Sequence, residues 1–332
     1  MLIAGDIGGT KTVLAFFSAR GSNETMLEKS YPSGQYASLE AMIADYLREI
    51  DKPVDSACFA VAGPVVAGKA RITNLPWVID VEVLKAAFGW KHVSLMNDLE
   101  AVAYAVPTLP PADVNHLSIG KPLAGGNIAV LAPGTGLGEA YLTMDNGRYT
   151  AHASEGSHAS FAPVNSLQID LLKFLHERKG HKHVSFERVC SGGLGIPNIY
   201  AFLKETGIEE EPGWLAEALA ACNDPTPIII NNALDPEKAC QLCSKTLEMF
   251  VEILGSEAGN QTLKVMATGG IYLGGGIPPR ILSALQKPSF LEAIRSKGRF
   301  RELLTNVPVH VILNPKVGLM GAAAFGFDQQ GH

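Results

Sequence analysis

The sequence is short of cysteine, of long charge-free runs and of basic clusters. Five Cys in 332 residues, unevenly spaced, make no disulfide framework and fit a reducing, cytoplasmic setting. The formal net charge is −6 and no long basic run occurs, which argues against nucleic-acid or membrane-surface binding. The opening residues show no basic segment followed by an apolar one, so no signal peptide is expected. The longest stretch without a charged side chain, 122–138, is broken by Pro122, Pro133 and five glycines and does not read as a membrane span. Low-complexity segments are also missing. What remains is 47% apolar and 18% charged, a globular composition of about two domains' length.

Cys240 and Cys243 form one C-x-x-C. No second Cys or His pair at zinc spacing accompanies them, and the surrounding PEKACQLCSKTLEMF reads as an amphipathic helix. Helix packing is favoured there over metal or redox chemistry.

The chain opens on IAGDIGGTKT, then TVLAFFS. A Rossmann loop or a P-loop would run into a helix. Here the following residues are β-branched and aromatic, so a second strand is expected. In a strand–turn–strand unit, Gly8 and Gly9 permit φ > 0 and close approach of the backbone to a ligand. Exposed N–H groups at the tip, around Thr10, then suit an anion. Asp6 would repel a bare phosphate and makes sense beside one that carries Mg²⁺. Read alone, the stretch is equally an ordinary hairpin. It recurs, however, in IAVLAPGTGLGEAYL, residues 128–142, with Gly134, Thr135 and Gly136. Two such hairpins suggest a duplicated architecture with a nucleotide between them. A third cluster, MATGGIYLGGGIPPRIL at 266–282, follows an apolar LKVMA read as a strand. Its bare backbone, at Gly269 and Gly270, suits a flat ring such as adenine.

Strands are expected at 2–7, 12–18, 25–31, 57–62 and 92–97, with helices at 38–50 and 80–88 and a further helix from Asp98. This order indicates a mixed sheet flanked by helices. The proline-rich 106–113 reads as a crossing between domains. Strands near 127–133, 137–143 and 148–152 follow. Helices are then expected at 165–178, 196–206, 213–222, 236–258, 278–286 and 289–296. After a strand at 308–313, PKVGLMGAAAFGF reads as a helix whose small residues allow close packing. The basic HERKGHKH at 176–183 reads as a solvated loop.

Three acidic stretches stand out. Asn97 and Asp98 fall where a strand ends and a helix begins, the edge where α/β sheets bind ligands. An Asp there fits a helix N-cap or a base for a hydroxyl proton, with the Asn amide holding a neighbouring hydroxyl. Glu155 and His158, three apart among small residues, fit an exposed turn or a pair of contacts to a polyhydroxyl ligand. Glu187, on an expected helix start before a Gly-rich break, fits an ordinary surface acid or a third contact.

Taken in order, Asp6-x-Gly8-Gly9-Thr10, Asn97-Asp98, Gly134-Thr135-Gly136, Glu155-x-x-His158 and Glu187 resemble the bacterial glucokinases, over nearly the whole chain. EGSH and ERVCSGGLG match that group rather than the zinc-containing ROK kinases, whose cysteine-rich motif is missing. ROK repressors also carry a DNA-binding domain ahead of the first hairpin, which is not expected here. The resemblance implies an α/β, actin-like (RNase H-like) ATPase fold, with two α/β domains and an interdomain cleft: 1–109 plus 314–332 small, 110–313 large. It implies ATP-dependent phosphorylation of D-glucose and a homodimer. Asp98 becomes the general base, and Asn97, Glu155, His158 and Glu187 hold the sugar. Asp6 holds Mg²⁺ through water, Gly8–Thr10 and Gly134–Gly136 bind phosphates, and Gly269–Gly270 lie on the adenosine side. Lys11 departs from the Asn that many members carry. A kinase for another hexose, a chaperone-type ATPase and a silent sugar sensor are the competing readings. The sugar-facing set argues against the second and Asp98 against the third.

Overall fold

The computed structural model describes the chain apart from residues 20–25, 51, 73–74, 239 and 331–332. It divides into two compact units. One comprises Met1–Pro110, Asp145–Ala153 and Asn314–His332, the other Pro111–Met144 and Ser154–Leu313.

The first unit is built on β1 (Leu2–Ile7), β2 (Lys11–Phe17), β3 (Leu27–Pro32) and β4 (Ser56–Val61). Three short strands follow, β5 (Val65–Val66), β6 (Lys69–Arg71) and β7 (Val78–Asp80), then β8 (His92–Asn97). The main sheet has the order β3-β2-β1-β4-β8, and β5-β6-β7 form a small sheet of their own. β1 pairs antiparallel with β2 and parallel with β4. Alternation along the strands sorts side chains onto two faces. Ile3, Ile7, Leu14, Phe16 and Phe59 enter one core, against Met42, Ile43 and Tyr46 of the helix Leu39–Leu47. Leu2, Ala4, Ala15, Cys58 and Ala60 enter the other, against Leu319, Ala322 and Ala323 of the C-terminal helix Val317–Gln330. The small-residue reading of that helix is explained by contact. A methyl group at Gly321 would overlap the Ala101 carbonyl of the helix Asp98–Ala105, and one at Gly326 would lie 2.5 Å from Leu2. Asp6 falls on this second, small-residue face. Thr25, the start of the third expected strand, lies outside the described residues.

The second unit contains β9 (Val114–Ser118), β10 (Ile128–Pro133) and β11 (Leu137–Asp145); β12 (Arg148–Ser154) follows after a turn and falls in the first unit up to Ala153. β13 (Gly270–Leu273) and β14 (Val309–Ile312) complete its sheet. Within the unit the order is β11-β10-β13-β14-β9. β10, β13 and β14 run parallel, and β11 and β9 are antiparallel edges. The core is organised by a 25-residue helix, Gln241–Val265.

Three expectations change here. LKVMA is the end of that long helix and not a strand, because a short apolar run does not separate a buried helix from a strand. Met266, left-handed at φ 51°, closes the helix. The strand begins later, inside the glycine cluster. The expected helix at 278–286 shrinks to Leu282–Leu285, because Pro278 and Pro279 supply no N–H donors. Helices at Thr226–Leu234 and Arg301–Asn306 were not anticipated. Cys240 caps the long helix, its Sγ accepting from Cys243 N–H at 3.4 Å, and both thiols are buried, in line with helix packing. Ala239 in that stretch lies outside the described residues. Residues 176–180 are exposed. Among the described residues no helix is long and apolar enough to cross a membrane.

Candidate active site

In the first unit, β1 and β2 close a tight turn. Gly8 N–H donates to Lys11 O at 3.1 Å, and a methyl group at Gly8 would sit 2.8 Å from that same oxygen. Glycine is required here by closeness: neither Gly8 nor Gly9 has a positive φ, contrary to the sequence expectation. The turn is held from behind. Ser33 Oγ donates to Gly8 O at 2.7 Å and Ser33 N–H to Thr10 O at 3.0 Å. Thr12 Oγ1 lies 3.0 Å from Ser33 Oγ, and both residues are buried. In a trans peptide the C=O and the next N–H point opposite ways. Pinning Gly8 O inward therefore aims Gly9 N–H outward.

Asp6 sits at the mouth of this turn. Burial raises its carboxyl above the usual range, and the Lys11 ammonium partly offsets that. Lys11 thus places a cation beside the acid and the turn. Gly318 of the C-terminal helix leaves space there, since a methyl group on it would be 4.0 Å from Asp6 Oδ2.

At the end of β8, Asn97 rather than Asp98 is the helix cap. Its Oδ1 accepts from Leu99 and Glu100 N–H at 2.9 and 3.3 Å, and Glu100 accepts from Asn97 N–H at 3.3 Å, a reciprocal capping box. Asn97 Nδ2 donates to Gly63 O at 3.2 Å. Asp98 is the first helical residue and its Oδ1 accepts from Leu99 N–H at 2.9 Å. The box fixes where the Asp98 side chain starts, half-buried at the carboxyl edge of the sheet.

In the second unit, the β10–β11 turn repeats the first with other parts. Gly134 N–H donates to Gly136 O at 2.8 Å. Its pins are backbone amides: Gly192 N–H to Gly134 O at 2.7 Å and Gly193 N–H to Thr135 O at 2.8 Å. The same trans-peptide geometry turns the Thr135 and Gly136 N–H groups away from the pins. Methyl groups at Gly192 and Gly193 would lie 2.8 and 2.7 Å from the carbonyls those amides bind. Thr226 Oγ1 donates to Gly192 O at 2.6 Å, and Ser191 Oγ to Glu187 O at 2.7 Å. The support loop is therefore fixed at both ends.

The same loop carries Glu187, on the short turn Phe186–Arg188. His158 ends the turn Gly156–His158 and stands between two acids. Its Nδ1 is 3.6 Å from Glu187 Oε2 and its Nε2 is 3.7 Å from Glu155 Oε2. Glu155 and His158 are well exposed, and Glu187 is the most enclosed at 25%. Phe186 N–H to Ala159 O, at 3.1 Å, ties the two segments together. Two carboxylates and an imidazole on an accessible surface present acceptors, and a donor, to a ligand with several hydroxyls. Gly136 abuts the group, since a methyl group on it would lie 2.9 Å from Glu187 Oε1.

The third glycine cluster divides. Gly270 starts β13 opposite Ile128, while Leu273 lies opposite Leu131. The carboxyl end of β13 therefore approaches the Gly134 turn, with Gly274 N–H on Leu131 O and Ile277 N–H on Pro133 O. Gly275, at φ 80°, packs on Pro133 O. Gly269 and Gly270 lie at the far end of the strand, against Gly126 and Pro308. The structure brings Gly274–Gly276 to the Gly134 turn and leaves Gly269 and Gly270 away from it. Ser33, Thr12, Gly192 and Gly193 were also not singled out from the sequence. Their partners lie far along the chain, and only the SGG of SGGLG marked any of them.

The sequence matches the glucokinase family over residues 3–329. It is 40% identical to a glucokinase of Nostoc punctiforme, over 97% of this chain and 98% of that one. It is 35% identical to one of Yersinia pestis, over 97% and 95%. The crystal structure of a glucokinase from an Antarctic psychrotroph, 34% identical, matches with a TM-score of 0.82 over 98% of both chains. The shared fold is the actin-like α/β ATPase fold, and the chain belongs to the glucokinase family.

Proposed function

We infer that this protein transfers the γ-phosphoryl group of ATP to the 6-hydroxyl of D-glucose, the entry step of glycolysis. The observation that carries the reading is the contact of an anion-ready turn with a hydroxyl-binding set, Gly136 against Glu187. Family membership supports both substrates. Asp98 acts as the general base, accepting the hydroxyl proton as the phosphoryl group leaves. Glu155, His158 and Glu187 hold the remaining hydroxyls, and a site built to pair them rejects analogues that leave its polar groups unpaired. Asn97 contributes its second amide hydrogen, the first being committed to Gly63.

Phosphoryl transfer needs positioning and charge neutralisation more than covalent help. The outward N–H groups of Gly9, Thr135 and Gly136 supply fixed donors, with Thr10 at the first tip. Gly274–Gly276 replace Gly269–Gly270 as the adenosine-side backbone. Asp6, a hard oxygen donor at the mouth of the first turn, would hold Mg²⁺ accompanying ATP, which would neutralise phosphate charge there. A cytoplasmic homodimer, with 1–109 plus 314–332 as the small domain and 110–313 as the large one, completes the proposal.

The test is coupled detection of glucose 6-phosphate with MgATP, for wild type and Asp98→Asn, with mannose and fructose in parallel. Wild type should prefer glucose, and Asp98→Asn should lose about 10²–10⁴-fold in kcat. Equal rates for the two proteins would remove Asp98 as the base. Faster turnover of another hexose would replace glucose.

A further inference from the structure

Glu139 lies on β11, three residues beyond Gly136. It is 2% exposed, in a family of surroundings that a carboxylate normally avoids. Its Oε1 has no hydrogen-bond partner, which leaves a desolvation cost uncompensated. Its other oxygen lies directly beneath Gly156. A methyl group at Gly156 would overlap Glu139 Oε2 and stand 3.1 Å from Ser154 Oγ, and Gly156 N–H donates to that hydroxyl at 3.0 Å. Gly156 sits between Glu155 and His158, so the buried carboxyl supports the sugar turn between its two ligand-facing residues.

We propose that Glu139 is a positioning residue for the sugar: seated under Gly156, its carboxyl sets the height of the Glu155–His158 turn, and gaining or losing its proton changes that turn's grip on a hexose. The proposal rests on the sugar-kinase reading above. It deepens that reading by giving the sugar site a control group that touches no substrate.

The charged and titratable groups facing Glu139 are few. The long helix contributes Glu257, fully buried, and Lys264, 3.2 Å from Glu257. Lys297 bonds Ser256 and Asn260 at 3.1 and 2.7 Å beside them. Cys190 contributes a buried thiol held neutral by burial and by both acids. Burial first, then the Glu257 charge, pushes the Glu139 carboxyl up to about 7, with Lys264 opposing. The proton is thus exchanged near neutrality. Protonated, the carboxyl packs against the turn as a neutral group. Ionised, it is repelled by Glu257 and puts a negative charge directly beneath Gly156.

The experiment is the glucose KM of wild type and Glu139→Gln across pH, from about two units below to about two units above neutrality, with ATP KM and kcat alongside. In wild type, glucose KM should change about fivefold around pH 7 beyond the change left in Glu139→Gln, whose side chain cannot ionise. ATP KM should not follow, and kcat should stay within about threefold, since the positioning acts on binding. Superimposable glucose profiles for the two proteins, or an ATP KM that moves equally, would overturn the proposal. A second pair covers poor folding of Glu139→Gln. Gly156→Ala should raise glucose KM about tenfold by collision, and Glu139→Ala in the same chain should recover part of it, as coupled neighbours do. No recovery would also overturn it. If wild type phosphorylates no sugar, the kinase reading fails first, before any variant is made.

Discussion

The two glycine turns carry the same signature and are held in unlike ways. At Gly8–Thr10 the pins come from one residue, Ser33, whose Oγ binds Gly8 O and whose N–H binds Thr10 O, with buried Thr12 beside it. At Gly134–Gly136 they are the amides of Gly192 and Gly193. Both arrangements draw tip carbonyls inward and so aim tip amides outward. A hydroxyl pin is chemically specific and can be deleted by one substitution. An amide pin is present in every residue but Pro, and what it demands is room. Each hairpin therefore fails to a different kind of mutation, although a motif search sees them as copies.

The largest expected effect follows from room. Gly193→Val places a branched side chain where even a methyl group would be 2.7 Å from Thr135 O. Backbone cannot yield as a side-chain tip can, so Thr135 must shift. A displacement of about 1 Å at a phosphate-positioning group costs about 10²-fold in rate. kcat/KM for ATP should fall by that order while circular dichroism and the melting transition show a folded protein. A loss below about threefold would mean that the support loop does not position the turn.

A smaller effect is expected at the hydroxyl-pinned turn, and its pattern sharpens the contrast. Ser33→Ala leaves Thr12 Oγ1 and Gly8 O buried with a partner removed, at about 1–3 kcal/mol. Thr12→Val leaves Ser33 Oγ still bonded to Gly8 O, and should cost less. The double variant should be less destabilised than the sum of the two, because the orphan hydroxyl left by the first change is removed by the second. Urea unfolding of the four proteins measures this. Strict additivity would show that the two hydroxyls are not coupled.

Much of this was legible in the sequence, and the rest was hidden for identifiable reasons. The hairpins were legible because an apolar run, glycines and a β-branched run allow little else. The glycines' purpose was not. Gly8 and Gly9 were expected to permit φ > 0 and close approach to a ligand, yet Gly8 is small because Lys11 O crowds it, and crowding is a tertiary fact. Gly275, with φ 80°, does have the backbone expected of Gly8. It sits in the cluster where Gly269 and Gly270 were singled out instead, because placing the strand at LKVMA moved its carboxyl end toward Gly269. Asn97 and Asp98 were found together, but which of them caps the helix depends on one residue of boundary. Glu139 carried no signal at all, since its meaning lies in Gly156 and Glu257 folding onto it.

The smallest effect expected is the one that separates the hairpins by function. A methyl group at Gly136 would lie 2.9 Å from Glu187 Oε1. The nearest atoms to a methyl group at Gly8 would be those of the Lys11 carbonyl. The obstacle at Gly136 is the end of a flexible carboxylate, which can move aside by rotation within about 0.5–1.5 kcal/mol. Gly136→Ala should therefore fold normally and keep its ATP KM. Glucose KM should rise about two- to tenfold, the energy of that rotation expressed as affinity. Gly8→Ala should do the reverse, since its methyl group meets the Lys11 carbonyl at 2.8 Å and disturbs the closing bond. Steady-state kinetics with each substrate varied in turn decide it. If both variants move ATP KM and neither moves glucose KM, the contact with Glu187 is only packing. If the effects cross as expected, the first turn serves the nucleotide and Gly136 seats Glu187, and the duplicated motif has divided its labour.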